Sequence, residues 1–184
     1  MNVIPTELEE VLIIEPRVFS DNRGLFFESY NKEKYQEMVV DAEFVQDNVS
    51  ISKKNVLRGL HYQLNQPQGK LVSVLEGEVF DVAVDIRKGS PTFGQWVGAI
   101  LSAENRRQLY VPERFAHGFC VLSNTAIFSY KCTAGYKPDD EHTLLYSDPS
   151  VGINWPCDKP RLSDKDKAGL SLAELDSHLP LYSG

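Results

Sequence analysis

Cysteine is scarce in this sequence. The 184 residues include three cysteines, Cys120, Cys132 and Cys157, an odd number without a Cys-x-x-Cys pair. A disulfide framework uses paired cysteines and a zinc ribbon uses closely spaced ones, so both kinds of structure are disfavoured. The sequence therefore predicts reduced thiols in a cytoplasmic protein.

Long apolar runs are missing as well. No segment approaches the roughly 20 apolar residues that a membrane-spanning helix needs. The N-terminal stretch MNVIPTELEEVLII lacks the basic start and the apolar centre of a signal peptide. We therefore expect a cytoplasmic location and no membrane partner.

Positive charge is in deficit. Lys and Arg together number 19 against 26 Asp and Glu, which gives a net charge of −7. Proteins that bind nucleic acids usually carry a basic face, so no nucleic-acid partner is expected. A local basic pocket for a small anion is still compatible with this balance.

Helical patterns are sparse, and short strand patterns fill the middle of the chain. The segment NKEKYQEMVV, 31–40, is the clear helix of the first half, with Asn31 as its N-cap. Later β-rich segments are separated by a hairpin signal at Gly77 and a polar turn at Ser123–Asn124. In VFDVAVDIR, 79–87, apolar and polar residues alternate as in a half-buried strand. This pattern predicts an all-β sandwich or barrel, with the jelly roll among the options.

The end of the chain has a different composition. Ser163 to Asp166 and Ser171 to Glu174 are Ser-x-x-acid patterns of the kind that begin helices. We expect short peripheral helices there, packed outside the β core.

The length and the absence of internal repeats predict one domain. It would span 1–184, with the β core at about 45–150 and a C-terminal helical extension at about 160–180.

The stretch LRGLHYQ, 57–63, is the most unusual local sequence. Arg58 and His61 are three residues apart, so an ideal strand would point them to opposite faces. Gly59 between them predicts a bulge, which would let both side chains serve one pocket. From these residues alone, His61 could be a packed strand residue, a metal ligand or a base.

A metal site at this stretch is disfavoured. Cupin-type barrels often bind a metal through a His-x-His pair, but Gln63 occupies the place of the second histidine. Glutamine is a poor ligand for zinc or iron, and His117 would be a distant partner. We expect no metal.

Basic residues near glycines raise the possibility of an anion pocket. Arg can bind a phosphate through two parallel donors, and Lys supplies a compact charge. The residues concerned are Arg23, Arg58 and Lys70. On spacing alone, ordinary surface cations are the favoured interpretation.

Many motifs in one order resemble a known family. The chain is similar to the dTDP-4-dehydrorhamnose 3,5-epimerases of dTDP-L-rhamnose biosynthesis. The similar segments are FSDNRGLFFESYN (19–31), FVQDNVS (44–50), LRGLHYQ (57–63), QGKLVSVLEGEVFDVAVDIRKGSPTFGQW (68–96), LSAENRRQLYVPERFAHGF (101–119), YKCTAGYKPDDE (130–141), INWP (153–156) and LSDKD (162–166).

The resemblance implies a fold, a reaction and an assembly. The family has a cupin-like jelly roll, forms homodimers and uses no cofactor or metal. Its reaction inverts C3 and C5 of dTDP-4-dehydro-6-deoxy-D-glucose, next to the C4 ketone. The N-terminal segment of one subunit helps to form the partner's site, so dimerisation would bear on function.

The resemblance also assigns catalytic roles. His61 would be the base and Asp166 its partner. Lys70 would stabilise the enolate oxygen, and Tyr130 would return a proton from the opposite face. Taken singly, Asp166 could instead be a helix-cap residue, Tyr130 a packed strand residue and Lys70 an exposed cation.

The remaining family positions would bind the sugar nucleotide. Arginines suit the diphosphate, and Tyr136 matches the aromatic residue that stacks on thymine. The implied substrate-binding residues are Arg23, Glu28, Gln46, Asp47, Asn48, Arg58, Lys70, His117, Tyr136, Glu141 and Lys165.

Other functions stay open at this point. A relative could epimerise only one carbon or isomerise the ketone of a related sugar nucleotide. A non-catalytic cupin that binds sugar nucleotides or nucleotides would belong to another class. A metal-dependent cupin oxygenase or isomerase is a further alternative. Solvent exchange at C3 and C5, with and without a chelator, separates these alternatives.

Overall fold

Strands dominate the computed structural model, which describes residues 1–183. Within them, the helices are α1 (Lys32–Met38), α2 (Asp164–Lys167) and two single 3₁₀ turns, Pro138–Asp140 and Asp176–His178. The strands are β1 (Asn2–Pro5), β2 (Leu12–Glu15), β3 (Val18–Asp21), β4 (Gly24–Phe27), β5 (Gln46–Lys53), β6 (Leu57–Gln63), β7 (Lys70–Glu76), β8 (Glu78–Asp85), β9 (Trp96–Ser102), β10 (Gln108–Val111), β11 (Phe115–Val121), β12 (Thr125–Cys132) and β13 (Glu141–Thr143).

Two antiparallel sheets face each other and enclose the core. One has the order β1-β2-β10-β7-β12-β5 and the other the order β13-β6-β11-β8-β9. Apolar side chains from both sheets, such as Val72, Leu109, Phe119 and Phe128, pack between them. This arrangement confirms the all-β, jelly-roll prediction.

The N-terminal strands extend the first sheet. β1 pairs with β2, and β2 pairs with β10. The six-stranded sheet therefore begins before the predicted start of the core near residue 45. These strands have four residues each, too few for a clear alternation in the sequence.

The turn at Gly77 is a sheet-to-sheet corner, and the hairpin prediction is wrong. β7 belongs to the six-stranded sheet and β8 to the five-stranded sheet, and the two strands do not pair with each other. Gly77 has φ +78°, and a Cβ there would lie 2.1 Å from the carbonyl oxygen of Thr125. The turn at Ser123–Asn124 likewise joins strands of different sheets, β11 and β12.

β8 is buried on both faces, not on one. Its outer residues Phe80, Val82 and Val84 pack under the C-terminal segment with Leu172 and Leu175. Its inner face carries Asp81, which is fully buried. The alternation was read correctly, but the sequence pattern could not show that a later segment covers the apolar face.

The helix-start signals are confirmed to different extents. Asn31 caps α1 by accepting a hydrogen bond from the backbone N–H of Lys34 at 3.3 Å. Ser163 caps the short α2 in the same way. Ser171 and Glu174 exchange hydrogen bonds, but they form a turn before the 3₁₀ segment. None of the helices in residues 1–183 has the length and apolar character that crossing a membrane requires.

Candidate active site

A cavity of about 360 Å³ opens between the two sheets. The predicted residues that line it are Gln46, Asn48, Arg58, His61, Lys70, His117, Tyr130, Tyr136 and Glu141. The cavity therefore brings together most of the residues that the family resemblance singled out.

A bulge in β6 allows Arg58 and His61 to share this cavity. His61 pairs with His117 on β11, whereas Arg58 pairs with Phe119, so the register shifts between the two pairs. Gly59 has φ +117°, and a Cβ there would lie 2.6 Å from the carbonyl oxygen of His117. Only glycine fits this close approach, which confirms the predicted irregularity.

Asp166 is the partner of His61. Nε2 of His61 lies 2.6 Å from Oδ1 of Asp166, which is nearly fully buried at the first turn of α2. Burial opposes ionisation of this carboxyl, but the hydrogen bond from His61 and the His61 charge lower its pKa below the usual range. Because Nε2 donates to the carboxylate, Nδ1 is the nitrogen that can accept a proton. Asp166 also takes part in the Ser163 cap, so the two roles of Asp166 coexist.

Lys70 is buried rather than exposed. It begins β7 and lies opposite Cys132 of β12. Burial lowers the pKa of its ammonium group, while the negative charges of Glu141 and Asp81 oppose that effect. A cation in this position raises the electrostatic potential deep in the cavity, where its charge is weakly screened.

Tyr130 faces His61 from the other sheet. It lies on β12 of the six-stranded sheet, whereas His61 lies on β6 of the five-stranded sheet. Burial raises the pKa of the Tyr130 phenol, so the hydroxyl keeps its proton at neutral pH. A molecule between the sheets would therefore have a potential base on one side and a potential acid on the other.

The alternation of β5 sorts its residues between two faces. Gln46 and Asn48 line the cavity, and Gln46 Oε1 accepts a hydrogen bond from the backbone N–H of Tyr136 at 2.9 Å. Asp47 points to the other face and pairs with Lys131 at 2.9 Å. The structure does not support a contact between Asp47 and a ligand in this cavity, because neighbouring residues of a strand point to opposite faces.

Glu141 joins three other predicted residues. Its Oε2 accepts hydrogen bonds from the Tyr136 hydroxyl at 2.9 Å and from Lys165. Its Oε1 lies 3.9 Å from Nδ1 of His61. Burial raises the pKa of Glu141, but Lys165 and the His61 charge outweigh that effect and the pKa is lowered.

Arg23 and Glu28 do not line this cavity. Arg23 lies in the exposed β3–β4 hairpin and pairs with Asp21 at 2.7 Å. Glu28 accepts a hydrogen bond from Lys34 of α1 at 2.8 Å. Within one chain, the structure therefore does not bring these two residues to the other site residues.

Sequence reasoning missed a second histidine–carboxylate pair. Nε2 of His117 lies 3.0 Å from both carboxylate oxygens of Asp81, and both side chains are buried. Burial raises the pKa of Asp81, and the neighbouring His117 opposes this. The signal in the sequence was Asp81 itself, an acidic residue within the apolar strand β8. Other lining residues that were missed are Ser50, Gln68, Phe119, Phe128 and Cys132.

Gln63 supports the rim of the cavity. Its buried amide donates to the carbonyl oxygens of Gln66 and Gly135, at 2.7 and 3.2 Å, and accepts from the backbone N–H of Lys137 at 2.8 Å. It thereby ties β6 to the loop that carries Tyr136. Residues 1–183 contain no group of three or more His, Cys, Asp or Glu side chains arranged to hold a metal ion.

Comparison with known proteins assigns the family. A family model described as dTDP-4-dehydrorhamnose 3,5-epimerase matches residues 5–174. The chain belongs to the dTDP-4-dehydrorhamnose 3,5-epimerase family. A dTDP-4-dehydrorhamnose 3,5-epimerase of Shigella flexneri is 59% identical over 178 residues, covering 96% of this chain and 98% of the relative.

Solved structures superpose closely on this chain. A dTDP-6-deoxy-D-glucose-3,5-epimerase from Legionella pneumophila, in complex with dTDP-4-keto-L-rhamnose, has a TM-score of 0.97 and 55% identity, covering 100% of this chain and 99% of that one. A 3′-monoepimerase from Streptomyces bikiniensis, in complex with dTDP-quinovose, has a TM-score of 0.91 and 35% identity, covering 97% and 92%. These likenesses agree with the jelly roll described above.

Proposed function

We propose that this protein is a dTDP-4-dehydrorhamnose 3,5-epimerase, an isomerase that needs no cofactor. It converts dTDP-4-dehydro-6-deoxy-D-glucose to dTDP-4-dehydro-L-rhamnose by inverting C3 and C5. The observation that carries this proposal is that His61, which lines one cavity with Lys70 and Tyr130, pairs with Asp166 at 2.6 Å. Membership of the epimerase family at 59% identity over nearly the whole chain supports it.

The base in this mechanism is His61. C3 and C5 each lie next to the C4 ketone, so loss of their protons gives an enolate. Nδ1 accepts the proton, and Asp166 stabilises the imidazolium that forms through its hydrogen bond to Nε2. The burial of Asp166 strengthens this interaction, because water screens it little.

Lys70 stabilises the enolate oxygen. The ketone oxygen carries little charge before proton loss and a full charge afterwards. A fixed buried cation therefore lowers the energy of the transition state more than that of the bound substrate. No cation has to be brought to the enolate oxygen during the reaction, because Lys70 is already in place at the start of β7.

Tyr130 completes the inversion. Proton return from the face that lost the proton restores the original configuration, so inversion needs an acid on the opposite face. Tyr130 and His61 lie on opposite sheets, and the half-buried phenol is protonated at neutral pH. This arrangement supports Tyr130 as the acid.

Other residues of the cavity wall, together with Lys165 beside it, bind the nucleotide. Arg58 and Lys165 supply positive charge for the diphosphate, and the half-exposed Tyr136 ring offers a face for the base. Gln46, Asn48 and His117 supply polar groups on the cavity wall. Tyr136 and Lys165 are already tied together through Glu141.

The functional unit in this proposal is a homodimer. The β3–β4 hairpin exposes Phe19, Leu25 and Phe26, and the edge strand β5 exposes Val49 and Ile51. Exposed apolar surface of this kind is typical of an interface. In the dimer, the hairpin brings Arg23, and the segment that follows it brings Glu28, to the partner's cavity, which accounts for their distance from the cavity of their own chain.

A mono-epimerase is the second candidate. The similarity to a 3′-monoepimerase from Streptomyces bikiniensis favours this alternative, because the same fold serves a reaction at one carbon. The two functions differ in how many centres they invert.

Solvent exchange tests the proposal. The dTDP-4-keto sugar is incubated with the protein in D₂O, and deuterium is located by NMR. A 3,5-epimerase introduces deuterium at both C3 and C5, with equal rates in the presence and absence of EDTA. Exchange at one carbon alone would establish the mono-epimerase, and binding without exchange would overturn the enzymatic proposal.

A further inference from the structure

Glu141 connects the expected nucleotide-binding residues to the base. Oε2 accepts hydrogen bonds from Tyr136 and Lys165, while Oε1 faces Nδ1 of His61 at 3.9 Å. The carboxylate side chain is only 13% exposed. At this distance and burial, its charge acts directly on whether Nδ1 is protonated.

The fold gives this junction a fixed geometry. β13 pairs with β6, which sets Thr143 of β13 opposite His61 and Glu141 opposite Gln63. Two consecutive residues of α2 then complete the arrangement: Lys165 binds Glu141, and Asp166 binds His61. His61 thus lies between two carboxylates, of which one is neutralised by a lysine.

We propose that Glu141 is a positioning residue through which nucleotide binding strengthens the base. In the free protein, Lys165 neutralises Glu141. When the diphosphate of the substrate attracts Lys165, the Glu141 carboxylate loses that cation and stabilises the protonated form of His61. This inference rests on the proposed epimerase function and goes beyond it by linking occupancy of the nucleotide site to proton abstraction.

A plain substrate-contact role for Glu141 is less consistent with the charges. A carboxylate repels a diphosphate, and here it holds the lysine that a diphosphate would need. Under a contact role, removing the Glu141 charge would weaken nucleotide binding. Under the proposed role, it would free Lys165 and leave nucleotide binding equal or tighter.

Several titratable groups surround His61, so variants have to be compared with one another. Asp166 faces it from α2 and Glu141 from β13. The other titratable groups that line the cavity are Arg58 on β6, Lys70 on β7, His117 on β11, Tyr130 and Cys132 on β12, and Tyr136. Removing the negative charge of Glu141 and removing the positive charge of Lys165 should move the acidic limbs of the pH profiles in opposite directions. The other groups keep their charges in both variants, so they do not explain such a pair of shifts.

The test measures the pH dependence of exchange for the wild type, Glu141→Gln and Lys165→Met. The acidic limb of kcat/KM reports the free enzyme, and that of kcat reports the substrate complex. In the wild type, the kcat limb is expected at higher pH than the kcat/KM limb, because Glu141 loses the neutralising charge of Lys165 only in the substrate complex.

Glu141→Gln should remove most of this difference between the two limbs. It should also lower kcat roughly tenfold or more, since a tenfold effect needs only a modest electrostatic change. Lys165→Met should move the kcat/KM limb to higher pH and weaken dTDP binding.

The control is Asp139→Asn, which removes an exposed carboxylate from the turn that precedes β13. It should behave as the wild type in both limbs. The proposal would be overturned if Glu141→Gln bound dTDP more weakly while the acidic limbs of both pH profiles stayed unchanged. If Glu141→Gln failed to fold, unchanged acidic limbs in Lys165→Met would overturn it. A wild-type protein that exchanged neither carbon would instead overturn the proposed function.

Discussion

At the residue scale, the proposed chemistry depends on charges placed around one imidazole, that of His61. His61 has Asp166 at 2.6 Å on one nitrogen and Glu141 at 3.9 Å from the other. In the proposed mechanism, Lys70 supplies the positive charge for the enolate oxygen and Tyr130 supplies the proton that returns to the sugar. Each side chain is ordinary by itself, and the chemistry comes from their common cavity.

Replacement of Tyr130 should separate proton exchange from inversion. Tyr130→Phe keeps the ring and removes the acidic hydroxyl, so His61 can still abstract a proton and return it on the same face. We expect deuterium incorporation within about tenfold of the wild type but a loss of inverted product of roughly 100-fold or more, within the usual range for an acid catalyst. NMR of the product measures both. Equal losses of exchange and inversion would contradict the role of Tyr130 as the acid.

Replacement of Lys70 should slow chemistry more than binding. Lys70→Met keeps most of the buried volume and removes the cation, so the enolate oxygen loses its partner. We expect kcat for exchange to fall about 100-fold to 1,000-fold, as for loss of one oxyanion donor, with dTDP affinity changed severalfold at most. Lys159→Met, at an exposed position, is the control. A large loss of dTDP affinity with a normal kcat would place Lys70 in binding instead.

Sequence reasoning found many site residues through the family resemblance and fewer through pattern alone. By itself, the pattern left His61, Tyr130 and Lys70 with structural alternatives. It missed Asp81, because strand alternation does not show which face lies inside the sandwich. The family resemblance placed Asp47 with Gln46 and Asn48 among the substrate-binding residues, but the strand points its side chain the other way.

At the element scale, two glycines set where a strand bulges and where the chain passes from one sheet to the other. Gly59 bends β6 so that Arg58 and His61 reach the same cavity. Gly77 moves the chain from one sheet to the other, a change that the sequence presented as a hairpin. A turn signal marks where a strand ends but does not identify the strand that it pairs with next.

Gly59→Ala should damage both stability and the site. Its φ of +117° disfavours any side chain, and a Cβ would lie 2.6 Å from a backbone oxygen. We expect the free energy of unfolding to fall by about 1–3 kcal/mol, the usual range for a strained backbone. Exchange activity should fall as well. Gly135→Ala is the matched control, because a Cβ there meets no atom within 4 Å. Equal stability of the two variants in urea unfolding would contradict this account of the bulge.

At the scale of the whole molecule, one chain lacks part of the proposed site. The hairpin with Arg23 and the segment with Glu28 lie away from the cavity of their own chain, and their apolar neighbours are exposed. The single-domain prediction for 1–184 stays a prediction, as does the dimer. The oligomeric state was the hardest property to predict from the sequence pattern, because an exposed apolar residue does not reveal which surface covers it.

Mixed dimers test the contribution of the partner chain. Arg23→Ala and His61→Ala are prepared separately, then unfolded together and refolded. If Arg23 serves the partner's cavity, each mixed dimer contains one intact site, and random pairing restores about a quarter of the wild-type sites. If Arg23 serves its own cavity, no intact site forms and the mixture stays as weak as the separate variants.

The most direct test of the central claim is deuterium exchange by His61→Asn. Asparagine keeps a polar side chain in the cavity but cannot accept the proton as imidazole does. We predict that the variant binds dTDP within about threefold of the wild type and introduces no measurable deuterium at C3 or C5, as expected for loss of the catalytic base. Exchange at a near-normal rate at either carbon would contradict the assignment of His61 as the base.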